Sequence, residues 1–464
     1  MNPFSVFNKS LSSALTGVVL VLIMLTHNLY GQMGPRKMEY LTRGLVAVND
    51  GNHVFLSWRI MATDTSGVEF NLYRDGTLIN SSPITGISNY IDSSGTSESL
   101  YYLETMIAGV DTSISTPVKV WNDGYLTIPT QTPAGYSLND ASMADLDGDG
   151  ELEIVVKLEG ASRDNSQSGY TDPVFLHAYR LNGEFLWSID LGVNIRAGAH
   201  YTQFLVHDLN GDGKAEVACK TAPGTKDGTG TFLSTGPAAN DDDSQDYRNS
   251  SGYILSGPEY LTVFEGISGT EISTVDYLPP RHPSTQSPSG AQINAIWGDN
   301  YGNRVDRFLA GVAYFEETAS LVMCRGYYTR TALTAYDFDG DTLSVRWTFD
   351  TYGNSSLSDY TGQGAHSLSI GDADGDGKDE IMYGAMAVDD DGSPMYSTTF
   401  GHGDATHFSD LIPSNPGLEF FMPHESAGST HNGITNPVLH VRDAATGNIL
   451  WEIPGSGDIG RGLT

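Results

Sequence analysis

One pattern occurs three times in this chain and restricts its fold more than any other feature of the sequence. Asp-x-Asp/Asn-x-Asp-Gly-x-x-Glu is found at 145–153, 208–216 and 372–380, which we call loops 1, 2 and 3. Each copy leads directly into a short apolar run typical of a β-strand, such as Ile154-Val-Val-Lys157. A loop that recurs ahead of a strand indicates a repeated all-β unit.

The side chains of these loops are suited to calcium. Carboxylates at alternate positions of a tight loop can point inward together, and calcium takes about six to eight oxygen ligands. Asp-Gly-Asp-Gly is also ordinary turn chemistry, but three copies with the closing Glu in register favour a structural cation. We therefore predict calcium bound by Asp145, Asp147, Asp149 and Glu153, by Asp208, Asn210, Asp212 and Glu216, and by Asp372, Asp374, Asp376 and Glu380.

A second unit alternates with the loops and has the pattern of a β-hairpin. It occurs at 175–187, 260–272, 333–347 and 439–451. Degenerate copies of the loop stand at 298–306 and 410–419. One loop-strand unit and one hairpin together make about four strands, the size of a propeller blade. We predict an all-β chain in which residues 136–464 form a calcium-binding β-propeller of about five blades, without helical periodicity.

The region before the repeats divides into two parts. Residues 1–31 contain a basic residue and a short apolar run, which predicts a signal peptide. An uncleaved anchor is the alternative, but no basic stop-transfer cluster follows. Residues 38–120 alternate short apolar runs with turns, which predicts a small β-sandwich-like, fibronectin III-like domain. We expect a secreted, periplasmic or outer-surface protein, with no membrane contact after signal cleavage.

The charge of the chain argues against nucleic-acid binding, and the positions of its two cysteines argue against a disulfide. The chain has 24 Lys and Arg against 57 Asp and Glu, a formal net charge of −33. Such a chain is a poor partner for nucleic acid, because phosphate binding depends on clustered Lys and Arg. The acidic residues either form a solvated surface or bind cations. Loops 1 to 3 favour cation binding for some of these residues. Cys219 and Cys324 lie in apolar strand-like runs, so two buried free thiols are expected rather than a disulfide.

Polar residues recur just ahead of the loops, where the first strand of each repeat should begin. They are Asn139, His200, His366, His402 and His407, and Arg461 takes the same place at the chain end. Equivalent positions of a propeller converge, so the recurrence predicts a polar pocket, although any single His could be a structural hydrogen-bonding residue.

Several longer polar motifs resemble the family 11 polysaccharide lyases that act on rhamnogalacturonan I. They are Asn139-Asp-Ala-Ser, Ile195-Arg-Ala-Gly-Ala-His-Tyr-Thr202, Tyr247-Arg-Asn-Ser-Ser-Gly252, Tyr301-Gly-Asn-Arg-Val-Asp-Arg-Phe308 and Arg325-Gly-Tyr-Tyr-Thr-Arg330. The resemblance implies an N-terminal β-domain and an eight-bladed calcium propeller. It also implies cleavage of the bond between rhamnose and galacturonic acid by β-elimination. The partner would be pectin, and we expect a monomer.

The resemblance also suggests roles for individual residues. Asn139 corresponds to a sugar-contacting Asn, and Glu159 stands where an Asp contact is expected. His200 and His407 are further candidates for substrate binding. The candidates for catalysis are Arg461, Arg442, His366 and His402.

Two further expectations follow from the resemblance. The family's catalytic Lys belongs to a later blade, so we expect a C-terminally truncated copy that is inactive alone. The stretch 427–436 is a candidate rim that would influence endo or exo action. The alternative function is a non-catalytic calcium-propeller module for carbohydrate binding or adhesion.

Overall fold

The computed structural model describes residues 34–107, 109–431 and 433–462. The predicted signal peptide, residues 1–31, lies outside the described residues. The chain divides into two compact units. The N-terminal unit contains 38–288 with 339–343, and the C-terminal unit contains 34–37, 289–338 and 344–462. Within the described part of the chain, no helix has both the length and the apolar character needed to cross a membrane.

The N-terminal unit begins with a curved eight-stranded sheet. Its strands are β1 Val46–Asn49, β2 Val54–Ser57, β3 Val68–Arg74, β4 Thr77–Leu78, β5 Asn89–Asp92, β6 Leu100–Ile107, β7 Val110–Ile114 and β8 Val118–Trp121. The order is β4-β3-β6-β8-β1-β2-β5, with β7 against β6. Alternating side chains such as Leu56, Phe70, Leu72 and Leu103 share one core. The eight strands are hydrogen-bonded in one continuous sheet. A simple β-sandwich would instead have two separate sheets packed face to face.

Two four-stranded antiparallel sheets complete the N-terminal unit. Sheet 1 is β9 Ser137–Ala144, β10 Glu153–Glu159, β11 Phe175–Arg180 and β12 Phe185–Asp190, and sheet 2 is β13 Phe204–His207, β14 Glu216–Thr221, β15 Tyr260–Phe264 and β16 Glu271–Asp276. Loop 1 joins β9 to β10, and loop 2 joins β13 to β14. Buried residues of both sheets, including Leu176, Val217 and Phe264, form one core.

The C-terminal unit contains three more sheets of the same kind. Sheet 3 is β17 Phe308–Ala313, β18 Ser320–Arg325, β19 Ala332–Phe338 and β20 Leu343–Asp350; sheet 4 is β21 Ser369–Gly371, β22 Glu380–Tyr383, β23 Met386–Val388 and β24 Pro394–Ser397. Sheet 5 is β25 His407–Ser409, β26 Glu419–Pro423, β29 Leu439–Asp443 and β30 Ile449–Ile453, with a small hairpin of β27 Thr430–His431 and β28 Ile434–Thr435 between β26 and β29. The four predicted hairpins are confirmed, and β23–β24 is the equivalent hairpin of sheet 4.

Two expectations about the repeats were wrong. The degenerate copy at 298–306 precedes β17, the first strand of sheet 3, whereas loops 1 to 3 join the first strand of a sheet to the second. Helical structure is also present, because α1 spans Gly290–Trp297. Its capping box joins Ser289 and Gln292, and Gly298 ends it with a φ of 86°. That Ser-x-x-Gln signal was visible in the sequence.

The two cysteines are buried free thiols, as expected. Cys219 lies on β14 and Cys324 on β18, and neither is exposed. Burial raises the pKa of the Cys219 thiol to about 12 and also raises that of Cys324. Both side chains pack in the apolar cores of their units.

Candidate active site and cation loops

Two histidines and a glutamate from three connections meet in the C-terminal unit. His366 precedes β21, His402 precedes β25, and Glu425 follows β26. Glu425 Oε1 lies 3.3 Å from His366 Nε2 and 3.4 Å from His402 Nε2. Asp404 Oδ1 is 3.6 Å from His366 Nε2. The structure thus brings together the two histidines predicted as catalytic, and we call this set the His–Glu cluster.

Hydrogen bonds at the far side of each ring orient the two imidazoles. His402 Nδ1 lies 2.6 Å from the Gly364 carbonyl, which can only accept, so Nδ1 carries the proton. His402 Nε2 is buried and makes no well-directed hydrogen bond within the described residues. Its lone pair therefore faces the Glu425 carboxylate, an arrangement that needs a proton or a cation between the two. Metal-binding histidines commonly donate their second N–H to a carbonyl in this way.

Two tyrosines and an arginine enclose the His–Glu cluster. Tyr327 OH is 3.0 Å from His366 Nδ1, and Tyr328 OH is 3.1 Å from His366 Nε2. The Tyr327 ring stacks on His402, with centroids 5.0 Å apart and planes 5° apart. The buried Arg307 donates to Tyr327 OH at 3.4 Å, and its guanidinium lies 5.4 Å from the Tyr328 ring centroid. Both tyrosines lie in one of the motifs that carried the family resemblance, but no site role was predicted for them.

The charges of the cluster are held in defined states. When their Nε2 atoms carry protons, hydrogen bonds from His366 and then His402 hold the pKa of Glu425 well below its usual range. Burial raises the pKa of Asp404 and of Tyr327. Glu425 is therefore an anion between two imidazoles. Ligand atoms of His366, His402 and Glu425 lie within 4.8 Å of one another, a donor set suited to a divalent cation.

Glu425 was missed by the sequence analysis, although the repeat contained a signal for it. It follows Glu419 by six residues, and Glu159 follows Glu153 by the same interval. Glu153 and Glu419 begin β10 and β26, the second strands of their sheets. Extending the comparison of repeats past each second strand would have identified Glu425 as the counterpart of Glu159.

In the N-terminal unit, two predicted substrate residues are in contact. Asn139 Nδ2 donates to Glu159 Oε2 at 3.1 Å. Lys157, which is fully buried, lies 2.6 Å from Asp140 Oδ2 and 3.6 Å from Glu159 Oε1. His200 is half-buried on a turn between β12 and β13. Contact with substrate stays a prediction for Asn139, Glu159 and His200.

The remaining predicted residues lie near the end of the chain. His407 is on β25, and its Nε2 lies 3.1 Å from the Gly462 carbonyl. Arg461 is exposed in the segment after β30. That segment passes the His–Glu cluster, because a Cβ atom at Gly460 would lie 3.5 Å from Asp404 Oδ2. A uronate contact for Arg461 and a sugar contact for His407 stay predictions.

Loops 1, 2 and 3 share one backbone conformation. The first Asp of each accepts hydrogen bonds from both glycine N–H groups, as Asp145 does from Gly148 and Gly150 at 2.7 Å each. Both glycines have φ near +85°, where a side chain would be strained. The closing Glu returns to the start of the loop, as Glu153 does by accepting from Leu146 N at 2.9 Å.

The donor atoms of these loops fit a calcium ion. Ligand oxygens of Asp145, Asp147 and Glu153 lie within 4.8 Å of one another, as do those of Asp372, Asp374 and Glu380. In loop 2, Asn210 Nδ2 instead donates to Glu216 Oε1 at 2.9 Å. Burial raises the pKa of Glu153 to about 7 and the pKa values of Glu216 and Glu380 to about 8. Carboxylates buried in this way are stabilised as anions by a nearby cation. Calcium binding by the twelve predicted ligands stays a prediction.

Comparison with known proteins identifies the family. A family model described as "Rhamnogalacturonan lyase family 11, C-terminal domain" matches residues 115–464. A second, "Rhamnogalacturonan I lyases beta-sheet domain", matches residues 36–121. The first match covers most of the chain. The chain belongs to rhamnogalacturonan lyase family 11.

Rhamnogalacturonan lyases from two bacilli are similar over nearly the whole chain. Rhamnogalacturonan exolyase YesX of Bacillus subtilis strain 168 is 50% identical in an alignment of 440 residues that covers 92% of this chain and 68% of that protein. Rhamnogalacturonan endolyase YesW of the same organism is 49% identical, over 92% of this chain and 67% of its own. The crystal structure of YesX has a TM-score of 0.85 over 92% of this chain and 69% of its own. The Bacillus licheniformis rhamnogalacturonan lyase structure is 51% identical, with a TM-score of 0.85 over 93% and 72%.

One predicted catalytic residue of this family 11 chain has an internal role instead. Arg442 is fully buried. Its guanidinium donates to the Gly384 carbonyl at 2.7 Å, to His440 Nε2 at 3.1 Å and to Tyr396 OH at 3.2 Å. Burial and internal hydrogen bonds leave no accessible surface for a uronate carboxylate. The geometry does not support the prediction that Arg442 faces the substrate.

Replacing Arg442 with Met should destabilise the protein by about 3 kcal/mol, because it leaves buried acceptors without a donor. The free energy of unfolding measured by urea denaturation checks this. Arg461→Met is the matched control and should change it by less than about 0.5 kcal/mol, because Arg461 is exposed. Equal effects of the two substitutions would contradict the internal role of Arg442.

Proposed function

We propose that this protein cleaves rhamnogalacturonan I at the bond between rhamnose and galacturonic acid by β-elimination. The observation that carries the proposal is the His–Glu cluster, in a chain that is 50% identical over 92% of its length to a rhamnogalacturonan exolyase. The endolyase is almost equally similar, at 49%. Sequence identity therefore supports lyase action on rhamnogalacturonan. It does not distinguish exolytic from endolytic cleavage.

The reaction makes three demands on the site. The uronate carboxylate must be neutralised to acidify the C5 proton, that proton must be removed, and the oxygen at C4 must depart as the C4–C5 double bond forms. A divalent cation held by His366, His402 and Glu425 would supply the positive charge for the first demand. Tyr327 OH, 3.0 Å from His366 Nδ1, can accept the proton of that nitrogen and so leave Nε2 to face the cation. Arg461, in the segment beside Asp404, is our candidate for a second contact with the uronate.

The arrangement of the sheets and the binding of calcium belong to the same proposal. We infer that the five four-stranded sheets are blades of a β-propeller and that loops 1 to 3 each hold a calcium ion. The identical connection of first to second strands through loops 1, 2 and 3 supports this. We further propose that the protein acts outside the cytoplasm on pectin. A non-catalytic binding module is the less favoured function, because the similar proteins are lyases.

Product mass distinguishes elimination from other ways of cutting the polymer. Rhamnogalacturonan I oligosaccharides incubated with the protein and calcium should yield fragments whose summed mass equals that of the substrate. Hydrolysis would instead add one water per cleavage. Fragments that contain an added water, or intact oligosaccharides that are bound but uncut, would contradict the proposal.

A further inference from the structure

We propose that loop 3 binds its cation with a carboxylate from outside the loop, Asp389 of the β23–β24 hairpin, and binds it more tightly than loop 1 does. The inference rests on the proposed binding of calcium by these loops. It adds a ligand that the Asp-x-Asp-x-Asp-Gly-x-x-Glu pattern does not contain. It also ranks loops 1 and 3, which carry the same four carboxylates of the pattern.

Strand register places Asp389 opposite the closing residue of loop 3. Ile381 of β22 pairs with Val388 of β23 in an antiparallel ladder, so Glu380 and Asp389 form the next opposed pair. Ligand oxygens of Glu380, Asp389 and Asp390 lie within 4.8 Å of one another. A hydrogen bond from Asp390 N to Asp389 Oδ1 at 2.9 Å orients the Asp389 carboxylate.

Glu380 independently indicates a ligand at this place. Its side chain is fully buried, and its Oε2 accepts hydrogen bonds from Ala373 N at 2.6 Å and Asp374 N at 3.3 Å. Its Oε1 is also buried and accepts no hydrogen bond from any described residue. A buried carboxylate oxygen without a donor is costly. A cation between Glu380 and its acidic neighbours would satisfy it.

The surrounding charge is strongly negative. Glu380 belongs both to the group with Asp372 and Asp374 and to the group with Asp389 and Asp390. Lys378 Nζ, 2.6 Å from Asp390 Oδ2, offsets one of these charges. Carboxylates so close together repel unless a cation lies among them, and affinity for calcium rises with the number of charged ligands.

Loop 1 carries the opposite charge at the equivalent position. Glu153 pairs across the ladder with Arg180. The Arg180 guanidinium is 3.1 Å from Glu153 Oε1, contacts Asp147 Oδ2, and lies 3.8 Å from Asp149 Oδ2. It therefore neutralises the carboxylates that calcium would use, and calcium must compete with it. The residue opposite the closing Glu therefore differs between the two loops. Asp389 strengthens cation binding by loop 3, and Arg180 weakens cation binding by loop 1.

Calcium titration of the metal-stripped full chain, followed by calorimetry, tests the added ligand. Asp389→Asn should weaken one site, that of loop 3, by about tenfold or more, because it removes a charged ligand without changing shape. Asp391→Asn is the matched control, since Asp391 lies in the same hairpin turn and accepts from Ser393 N at 2.8 Å. It should leave all affinities unchanged. Equal affinities for the two variants would overturn the inference.

A substitution in loop 1 tests the ranking from the other side. Arg180→Gln should tighten the loop 1 site, because the competing cation is removed. Calcium affinities that stay unchanged in this variant would contradict the role given to Arg180. Wild-type protein that takes up no calcium would remove the basis of the loop sites altogether, whereas cleavage of rhamnogalacturonan I is measured separately by product mass. Circular dichroism without calcium verifies that each variant folds.

Discussion

Replacing Glu425 with Gln is expected to lower kcat on rhamnogalacturonan I by about a hundredfold or more. Glu425 is the anion shared by His366 and His402, with both Nε2 atoms within 3.4 Å of Oε1. A neutral amide would no longer supply a charged ligand to a cation held with the two imidazoles. Initial rates of unsaturated uronate formation give the measurement.

The Glu425 prediction has a matched control in the same sheet. Glu452 is exposed on β30, so Glu452→Gln removes the same charge and should change kcat by less than about twofold. Thermal unfolding of both variants separates loss of chemistry from loss of fold. Activity of the Glu425 variant within about threefold of wild type would rule out a central role for the His–Glu cluster.

Removal of calcium is expected to destabilise the protein, and by more as the pH rises from 5 to 8. In the metal-free state, burial raises the pKa of Glu153 to about 7 and of Glu216 and Glu380 to about 8. These groups keep protons that the unfolded chain has released above about pH 4.5. Their stabilising effect is therefore complete below that pH and is lost as the pH rises through 7 and 8. Calcium replaces the protons, so its own contribution grows over the same range.

Urea denaturation with calcium or with EDTA, at pH 5 and at pH 8, measures this difference. Each occupied site should contribute about 2.7 kcal/mol when free calcium is a hundred times the dissociation constant. The low pKa of His424, about 3 through burial, also makes the protein less stable in acid, but it acts equally with and without calcium. A calcium effect that is constant or smaller at pH 8 would contradict the prediction.

The fold could be predicted where a local pattern determines it. Loops 1 to 3 need two glycines with positive φ and an Asp that accepts from both, so their sequence specifies their shape. Hairpins with alternating apolar residues could also be predicted from the local sequence. The β23–β24 hairpin could not be predicted in this way, because its strands have only three and four residues and the acidic run Asp389-Asp-Asp-Gly392 forms its turn.

The site could be predicted only in part, because packing decides which side chains meet. His366 and His402 share a position in their repeats, and the repeat identified them. Arg442 lies on β29 beside sheet 4, and whether its guanidinium reaches solvent depends on contacts with Gly384 and Tyr396 that lie more than 40 residues away. Glu425 required the comparison of repeats to be carried six residues beyond the closing Glu.

The most direct test is the ultraviolet absorbance of rhamnogalacturonan I incubated with this protein and calcium. We predict a steady rise, because each β-elimination leaves a conjugated uronate, and we predict that the rise is lost in the Glu425→Gln variant. An absorbance that stays flat while the protein measurably binds the polysaccharide would contradict this prediction.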